Sequence, residues 1–337
     1  APYEIVQKMR ASIIILGPLL ARCGEARIAF PGGDQLGPRP VQMHLDALEK
    51  MGANFELDHG VLIGKTDGLN GVEINLPYAS VGATENTLLA AVLAKGRTVI
   101  ENAAREPEIV DIVNMLLKMG ANISGAGTSE IIIEGVDKLN PTDHEIIGDR
   151  IAAGTFLAAI LSTKGSGKVN GINPEHLPME LKKFGEMGAI IDSTETSINI
   201  EYRDNLQSIE LSTLPFPGIA TDLQPIFGSA LLLAEGTSIL TENVYDQRFQ
   251  WIPEAQRMGA NIQTGWQHAM IKGVKTLSGA PVHATDIRTG ASLVIAALQA
   301  DGLSTITGID HINRGYEDIV ASLTSLGSTI EYNDNHG

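Results

Sequence analysis

A short phrase returns five times along this chain at an almost fixed interval, and such a period confines the fold to copies of one supersecondary unit. Met51-Gly52-Ala53-Asn54 recurs as Met119-Gly120-Ala121-Asn122, Met187-Gly188-Ala189-Ile190 and Met258-Gly259-Ala260-Asn261, with a weaker fifth copy at Leu326-Gly327-Ser328-Thr329. The intervals are 68, 68, 71 and 68 residues. Gly24, Gly96, Gly165, Gly236 and Gly302 keep nearly the same beat, each closing an aliphatic run ahead of a β-like segment.

The second copy defines the unit. An Ala/Leu-rich helix follows Ser80-Val81-Gly82-Ala83-Thr84 and stops at Gly96, where a left-handed C-cap is expected. Thr98-Val99-Ile100 reads as a strand. Pro107 opens a second helix whose apolar residues follow helical spacing up to Gly120. Asn122-Ile123 and Ile131-Ile132-Ile133 form two strands around the Gly125-Ala126-Gly127 turn. The unit is helix, strand, helix, strand, strand. Its first helix is apolar nearly all round in each copy, so it must be enclosed by protein with the strands outside. A turn-rich stretch, Leu139 to His144, marks a domain boundary. Two repeats precede it in residues 1–146 and three follow in residues 147–337.

Composition narrows the partners. A net charge of −16 argues against nucleic acid and anionic membranes, so arginines must be gathered locally if the ligand is an anion. Aromatics are only 4%, leaving aliphatic residues to build the cores. The single cysteine, Cys23, excludes an internal disulfide and reads as buried filler in a cytoplasmic protein. Residues 8–23 have the outline of a signal peptide, but their register with the other repeats makes them a core helix.

Charge recurs in two places. Arg39, Arg105, Arg248 and Arg314 precede their landmarks by 12, 14, 10 and 12 residues, in the loop opening the second helix. Of these, Arg39 and Arg314 lie among glycines and suit bidentate grip on phosphate or carboxylate. The first helices begin with Met9-Arg10-Ala11-Ser12, Ser80-Val81-Gly82, Asp149-Arg150, Thr221-Asp222 and Thr285-Asp286-Ile287-Arg288. Plain N-capping explains the hydroxyls and Asp149. It does not explain arginines at a positive helix end, which together with helix N-termini make an anion site. The Pro31–Pro40 segment has the composition of a mobile lid and lacks the Gly-Lys-Ser/Thr of a P-loop.

Taken with Glu101-Asn102-Ala103-Ala104-Arg105-Glu106-Pro107-Glu108 and His311-Ile312-Asn313-Arg314-Gly315-Tyr316-Glu317, these motifs run end to end in the order of one family. The chain resembles the enolpyruvyl transferases, and within them the branch acting on UDP-N-acetylglucosamine. The resemblance implies an inside-out α/β barrel of repeated units in two domains around a cleft, with five of six repeats present. It implies transfer of the enolpyruvyl group of phosphoenolpyruvate to the sugar 3-hydroxyl, with addition and then elimination of phosphate through a tetrahedral ketal. That is the first committed step of peptidoglycan synthesis, run without metal or redox cofactor, here by an expected monomer.

By the same resemblance, Arg10, Arg39 and Arg314 hold phosphoenolpyruvate. Asp222 is the base on the sugar hydroxyl, Asp286 assists proton transfer, and Arg248 and Arg288 line the cleft. Pro40, Val41, Ser80, Val81 and Gly82 contact the uridine nucleotide. Asp34 stands where the family usually has a cysteine, the proton donor to the methylene and the target of fosfomycin. Insensitivity to that drug is therefore expected. The copy missing from the six-repeat pattern is N-terminal and carries a Lys-Asn pair in relatives, which Lys8 does not replace. The expectation is a truncated chain with little activity as it stands. Three alternatives are weighed: the sister transferase acting on shikimate 3-phosphate, a nucleotide-sugar sensor without catalysis, and a structural solenoid. The first lacks its Gly-Asn-Ala-Gly-Thr helix start here, and the apolar first helices argue against the last.

Overall fold

In the computed structural model of the chain, residues 10–29 and 41–333 are described, Arg10 to Ser12 by backbone alone. The chain divides into two compact units, 1–146 and 147–337.

In the first unit a 3-10 turn (Arg10–Ile15) leads into α1 (Leu16–Cys23), followed by β1 (Glu25–Ala29), α2 (Gln42–Lys50), β2 (Asn54–Asp58) and β3 (Val61–Lys65). The next repeat comprises β4 (Glu73–Asn75), α3 (Val81–Ala91), β5 (Arg97–Glu101), α4 (Pro107–Lys118), β6 (Asn122–Ser124) and β7 (Glu130–Glu134). The sheets have the orders β1-β3-β2 and β4-β5-β7-β6. The last strand of the repeat lies antiparallel between its neighbours in both, β3 between β1 and β2 and β7 between β5 and β6, with β4 added parallel to β5.

The first two copies of the second unit repeat this plan, and the last has only two-stranded parallel sheets among the described residues. The unit runs α5 (Arg150–Ser162), β8 (Ser166–Asn170), α6 (Pro178–Glu186), β9 (Ala189–Thr194) and β10 (Ser197–Tyr202), with sheet order β8-β10-β9. Then come β11 (Glu210–Ser212), a 3-10 turn (Thr221–Leu223), α7 (Gln224–Ala230), β12 (Thr237–Thr241), α8 (Ile252–Arg257), β13 (Asn261–Gly265) and β14 (His268–Lys272), with order β11-β12-β14-β13. The last copy has β15 (Leu277–Ser278), β16 (Pro281–His283), α9 (Ile287–Leu298), β17 (Ala300–Asp301), β18 (Thr305–Thr307), α10 (Ile309–Asn313) and α11 (Ile319–Ser325).

The recurring phrase has a conformational cause. Gly52, Gly120, Gly188, Gly259 and Gly327 all have φ between 94° and 104°, where a side chain is strained. Met51, Met187 and Met258 just before them are fully buried. Each landmark therefore ends a helix, and in the first, third and fourth copies its methionine pins that end to the core. The second beat behaves likewise at Gly24, Gly96, Gly236 and Gly302. In the third copy Lys164, not Gly165, takes the positive φ of 59°. Gly165 serves there by closeness, since a Cβ would sit 3.2 Å from the Ile160 carbonyl oxygen.

The first helices are enclosed, as their composition requires. Eleven of the 13 residues of α5 and all 7 of α7 are buried. Removing such apolar surface from water contributes roughly 25 cal/mol per Å2, which orders helices that carry no polar face. In the first unit α1 crosses α3 closely. A Cβ on Gly17 would lie 2.3 Å from the Asn86 carbonyl oxygen, so only glycine fits. The stretch with a signal-peptide outline therefore forms a core helix with Leu16, Gly17 and Leu20 buried.

Cys23 corrects one expectation. It is exposed rather than filler, because it is the last residue of α1, one turn past the last buried side chain, Leu20. Among the described residues no helix is long and apolar enough to cross a membrane.

Candidate active site

The second unit concentrates the candidate residues. Asp222 is the middle residue of the Thr221–Leu223 turn, which continues into the buried helix α7. Its carboxylate lies between two guanidiniums. Arg248 donates from Nη2 to Oδ1 at 2.8 Å, and from Nε to the Thr221 hydroxyl at 3.2 Å. Arg288 donates to Oδ2 from Nε at 3.1 Å, with Nη2 forming an ion pair to the same oxygen at 3.0 Å. These are charge-assisted hydrogen bonds, about twice as strong as neutral ones.

Each arginine is fixed from behind. Arg248 is buried and stacks over the Tyr245 ring at 5.2 Å. Arg288 lies 6.0 Å from the Tyr316 ring centre, whose hydroxyl it also reaches from Nη1 at 3.5 Å. Tyr316 in turn bonds Thr155 of α5 at 2.8 Å, and Phe156 meets its ring edge-on. Burial raises the Tyr316 hydroxyl pKa against the opposing pull of Arg288, so it stays neutral at physiological pH. For Arg288 burial opposes the charge, but Asp222, Tyr316 and Asp149 together outweigh it and the guanidinium is held protonated.

Asp286 differs from Asp222 although both follow threonine. It is the N-cap of α9, accepting at Oδ1 from the backbone N–H of Arg288 at 2.8 Å and of Thr289 at 3.0 Å. Its Oδ2 accepts from the Thr289 and Thr285 hydroxyls. With 1% exposure it faces inward, and its geometry positions Arg288. Asp149 caps α5 in the same manner, at 2.8 and 3.0 Å to Ile151 and Ala152. Arg150 beside it is buried, 5.7 Å from the Phe216 ring and opposite the buried Glu180, so it is built into the core. Arg314 is exposed at the end of α10, two residues before Tyr316. The intervening Gly315 lets that segment press on the start of α9, where a Cβ would sit 2.3 Å from Ile287 Cγ2.

The first unit brings together two helix beginnings. Ser80, Val81 and Gly82 start α3, with the Ser80 hydroxyl accepting from Ala83 N–H at 3.3 Å. Val41 is the buried N-cap residue of α2, and His44 one turn on packs against Gly82, where a Cβ would lie 3.0 Å from its Cε1. Buried Asn86 ties this corner together. Its amide reaches His44 Nδ1 at 3.2 Å and the Ile13 carbonyl at 3.1 Å, while its Oδ1 accepts from Gly17 N–H at 2.7 Å.

Beside it, burial pushes the Glu85 carboxyl up to about 7, helped by Glu108 and Glu106. A cavity of about 300 Å3 between α2 and β4, lined by Met43, Asp46, Lys50, Asn75 and Pro77 among others, includes none of the candidate residues. Among the described residues no group of His, Cys, Asp or Glu has the spacing to hold a metal ion.

Asp34, Arg39 and Pro40 lie outside the described residues, as does the Arg10 side chain. Sequence reasoning missed Tyr316 and Thr155, 161 residues apart, and the His44–Asn86 pair, 42 apart. Thr155 left one signal, a polar residue on an otherwise apolar helix.

A model of the EPSP synthase (3-phosphoshikimate 1-carboxyvinyltransferase) family matches residues 1–323. The chain belongs to that family. Among relatives within this enolpyruvyl transferase family, UDP-N-acetylglucosamine 1-carboxyvinyltransferase of Corynebacterium jeikeium is 47% identical over 98% of this chain and 79% of its own length. The enzyme of that name from Thermotoga maritima is also 47% identical, with the same coverage. The enolpyruvyl transferase NikO from Streptomyces tendae superposes with a TM-score of 0.87 at 26% identity, covering 98% of this chain and 79% of that one. EPSP synthase from Acinetobacter baumannii shares the fold, with a TM-score of 0.73 at 22% identity over 97% of this chain and 79% of its own.

Proposed function

We propose that this chain transfers the enolpyruvyl group of phosphoenolpyruvate to the 3-hydroxyl of UDP-N-acetylglucosamine, opening peptidoglycan synthesis in the cytoplasm as a monomer. The single observation that carries the chemistry is the Asp222 carboxylate between Arg248 and Arg288. Such a group joins a base to cations for a carboxylate or phosphate. The acceptor is supported by relatives of that name at 45–48% identity, against 22% for the solved EPSP synthases.

In this reading Asp222 takes the proton of the sugar hydroxyl as its oxygen bonds C2 of the donor, and Asp34 supplies a proton to C3. Loss of phosphate from C2 and of a proton from C3 then restores the double bond. Arg10, Arg39 and Arg314 hold the donor, while Arg248 and Arg288 grip its anionic end. Asp286 acts through Arg288. The uridine nucleotide rests on Pro40, Val41, Ser80, Val81 and Gly82. Residues 1–146 contribute two repeats and residues 147–337 three, each wrapped with its first helices inside. A carboxylate is a weaker nucleophile than a thiolate, so Asp34 makes the enzyme insensitive to fosfomycin; a covalent adduct on Asp34 would refute this.

Competition decides the acceptor. UDP-N-acetylglucosamine, and not shikimate 3-phosphate, should protect the protein against thermal unfolding in the presence of phosphoenolpyruvate. Protection by shikimate 3-phosphate alone would reverse the assignment.

A further inference from the structure

In the Asp222–Arg248–Arg288 group the carboxylate is the movable member. Its side chain is 36% exposed, against 5% for Arg248 and 15% for Arg288. Arg288 is anchored through its backbone to Asp286 and through its side chain to Tyr316. Arg248 is anchored on Thr221 and the Tyr245 ring. Asp222 sits in a three-residue turn, its oxygens pointed at cations rather than at a helix N-terminus. Two guanidiniums converging on one planar O–C–O group make a cradle that any carboxylate or phosphate of similar span can fill. While Asp222 fills it, charged donors engage the oxygens it needs to accept a hydroxyl proton.

We infer that Asp222 is a resident anion: in the empty protein its carboxylate occupies the Arg248–Arg288 cradle, and an arriving substrate carboxylate or phosphate displaces it and so frees the base. The inference rests on the reading above for the substrate's identity, but the competition itself needs no acceptor sugar. With Asp222 in place the three groups carry one net positive charge. Released, the arginines present two, matched to an anionic donor. Asp149 and Tyr316 are the other titratable groups acting on Arg288. Both stay on the protein side of the exchange. The base thus becomes available when the donor has arrived, which limits wasted proton transfer at an empty site.

The test is titration calorimetry of phosphoenolpyruvate and, separately, inorganic phosphate into wild type, Asp222→Asn and Arg288→Gln, without acceptor. Removing an internal competitor held by charged hydrogen bonds should tighten both ligands about tenfold in Asp222→Asn, and Arg288→Gln should weaken them. Unchanged or weaker binding by a folded Asp222→Asn overturns the inference. If that variant fails to melt cooperatively, wild-type crystals soaked in phosphoenolpyruvate decide instead. Opening of the Asp222–Arg288 contact beyond hydrogen-bond reach supports displacement. Persistence of that contact with ligand bound, at these arginines or elsewhere, contradicts it. Failure to release phosphate with UDP-N-acetylglucosamine would sink the proposed function and leave this competition standing.

Discussion

Arg288 donates from Nε to one oxygen of Asp222 at 3.1 Å and brings Nη2 within 3.0 Å of the same oxygen as an ion pair, although 66 residues separate them. Arg248 holds the other oxygen. Glutamine at position 288 keeps some packing but removes the charge and the fork. Arg288→Gln is expected to lower kcat/KM about 100-fold, the scale of a lost charge-assisted contact made in the transition state. Steady-state phosphate release measures it; a loss below threefold would contradict the assigned role.

Gly315 makes the approach of the Arg314–Tyr316 segment to α9 possible. A Cβ there would meet Ile287 Cγ2 at 2.3 Å and Arg288 Nη1 at 3.5 Å. Gly315→Ala should cost about 1–3 kcal/mol of stability through overpacking. It should lower turnover as well, because the shifted residue adjoins Arg288. Urea denaturation alongside the kinetic assay reads both effects.

Asn86 satisfies three groups in the first unit with one side chain. Asn86→Ala leaves the Gly17 N–H and the Ile13 carbonyl unbonded in a buried crossing. The expected loss is about 2 kcal/mol or more, seen as a lower urea midpoint. A neutral result would mean that water takes the vacated place.

Glu85 gives the stability a pH slope. Its folded carboxyl titrates at about 7, chiefly through burial, while the unfolded carboxyl titrates at its ordinary, lower value. Between these pH values the unfolded chain releases a proton that the folded chain retains, so stability falls as pH rises. Glu85→Gln should remove this fall and gain up to about 3 kcal/mol at pH 8, with no gain at pH 4. Thermal melts of both proteins at the two pH values check the sign.

Much of this was legible because the chain repeats. The helix stops, the antiparallel strand pair of the first four copies and the apolar inner helices follow from left-handed glycines and from periodicity. The strands β4 and β11 were not legible. Each has three residues and exists by parallel pairing with β5 or β12, a tertiary contact that leaves no local pattern. The three aspartates at helix starts look equivalent in sequence. They diverge because Asp149 and Asp286 sit at the N-cap itself, whereas Ala220 takes that position before Thr221-Asp222 and leaves Asp222 to the arginines. Arg150 reads as an anion ligand by the same register, yet Phe216 and Glu180 hold it in the core. Tyr316 could not be assigned because Thr155 comes from another repeat and Arg288, though in the same repeat, sits at the start of a different helix.

The most direct measurement is phosphate released per enolpyruvyl-sugar formed, from phosphoenolpyruvate and UDP-N-acetylglucosamine, by wild type and Asp222→Asn. One phosphate per product from wild type, and a loss of both in Asp222→Asn, is the expected result. Phosphate release that needs shikimate 3-phosphate instead, or turnover undiminished without the Asp222 carboxylate, would contradict the account.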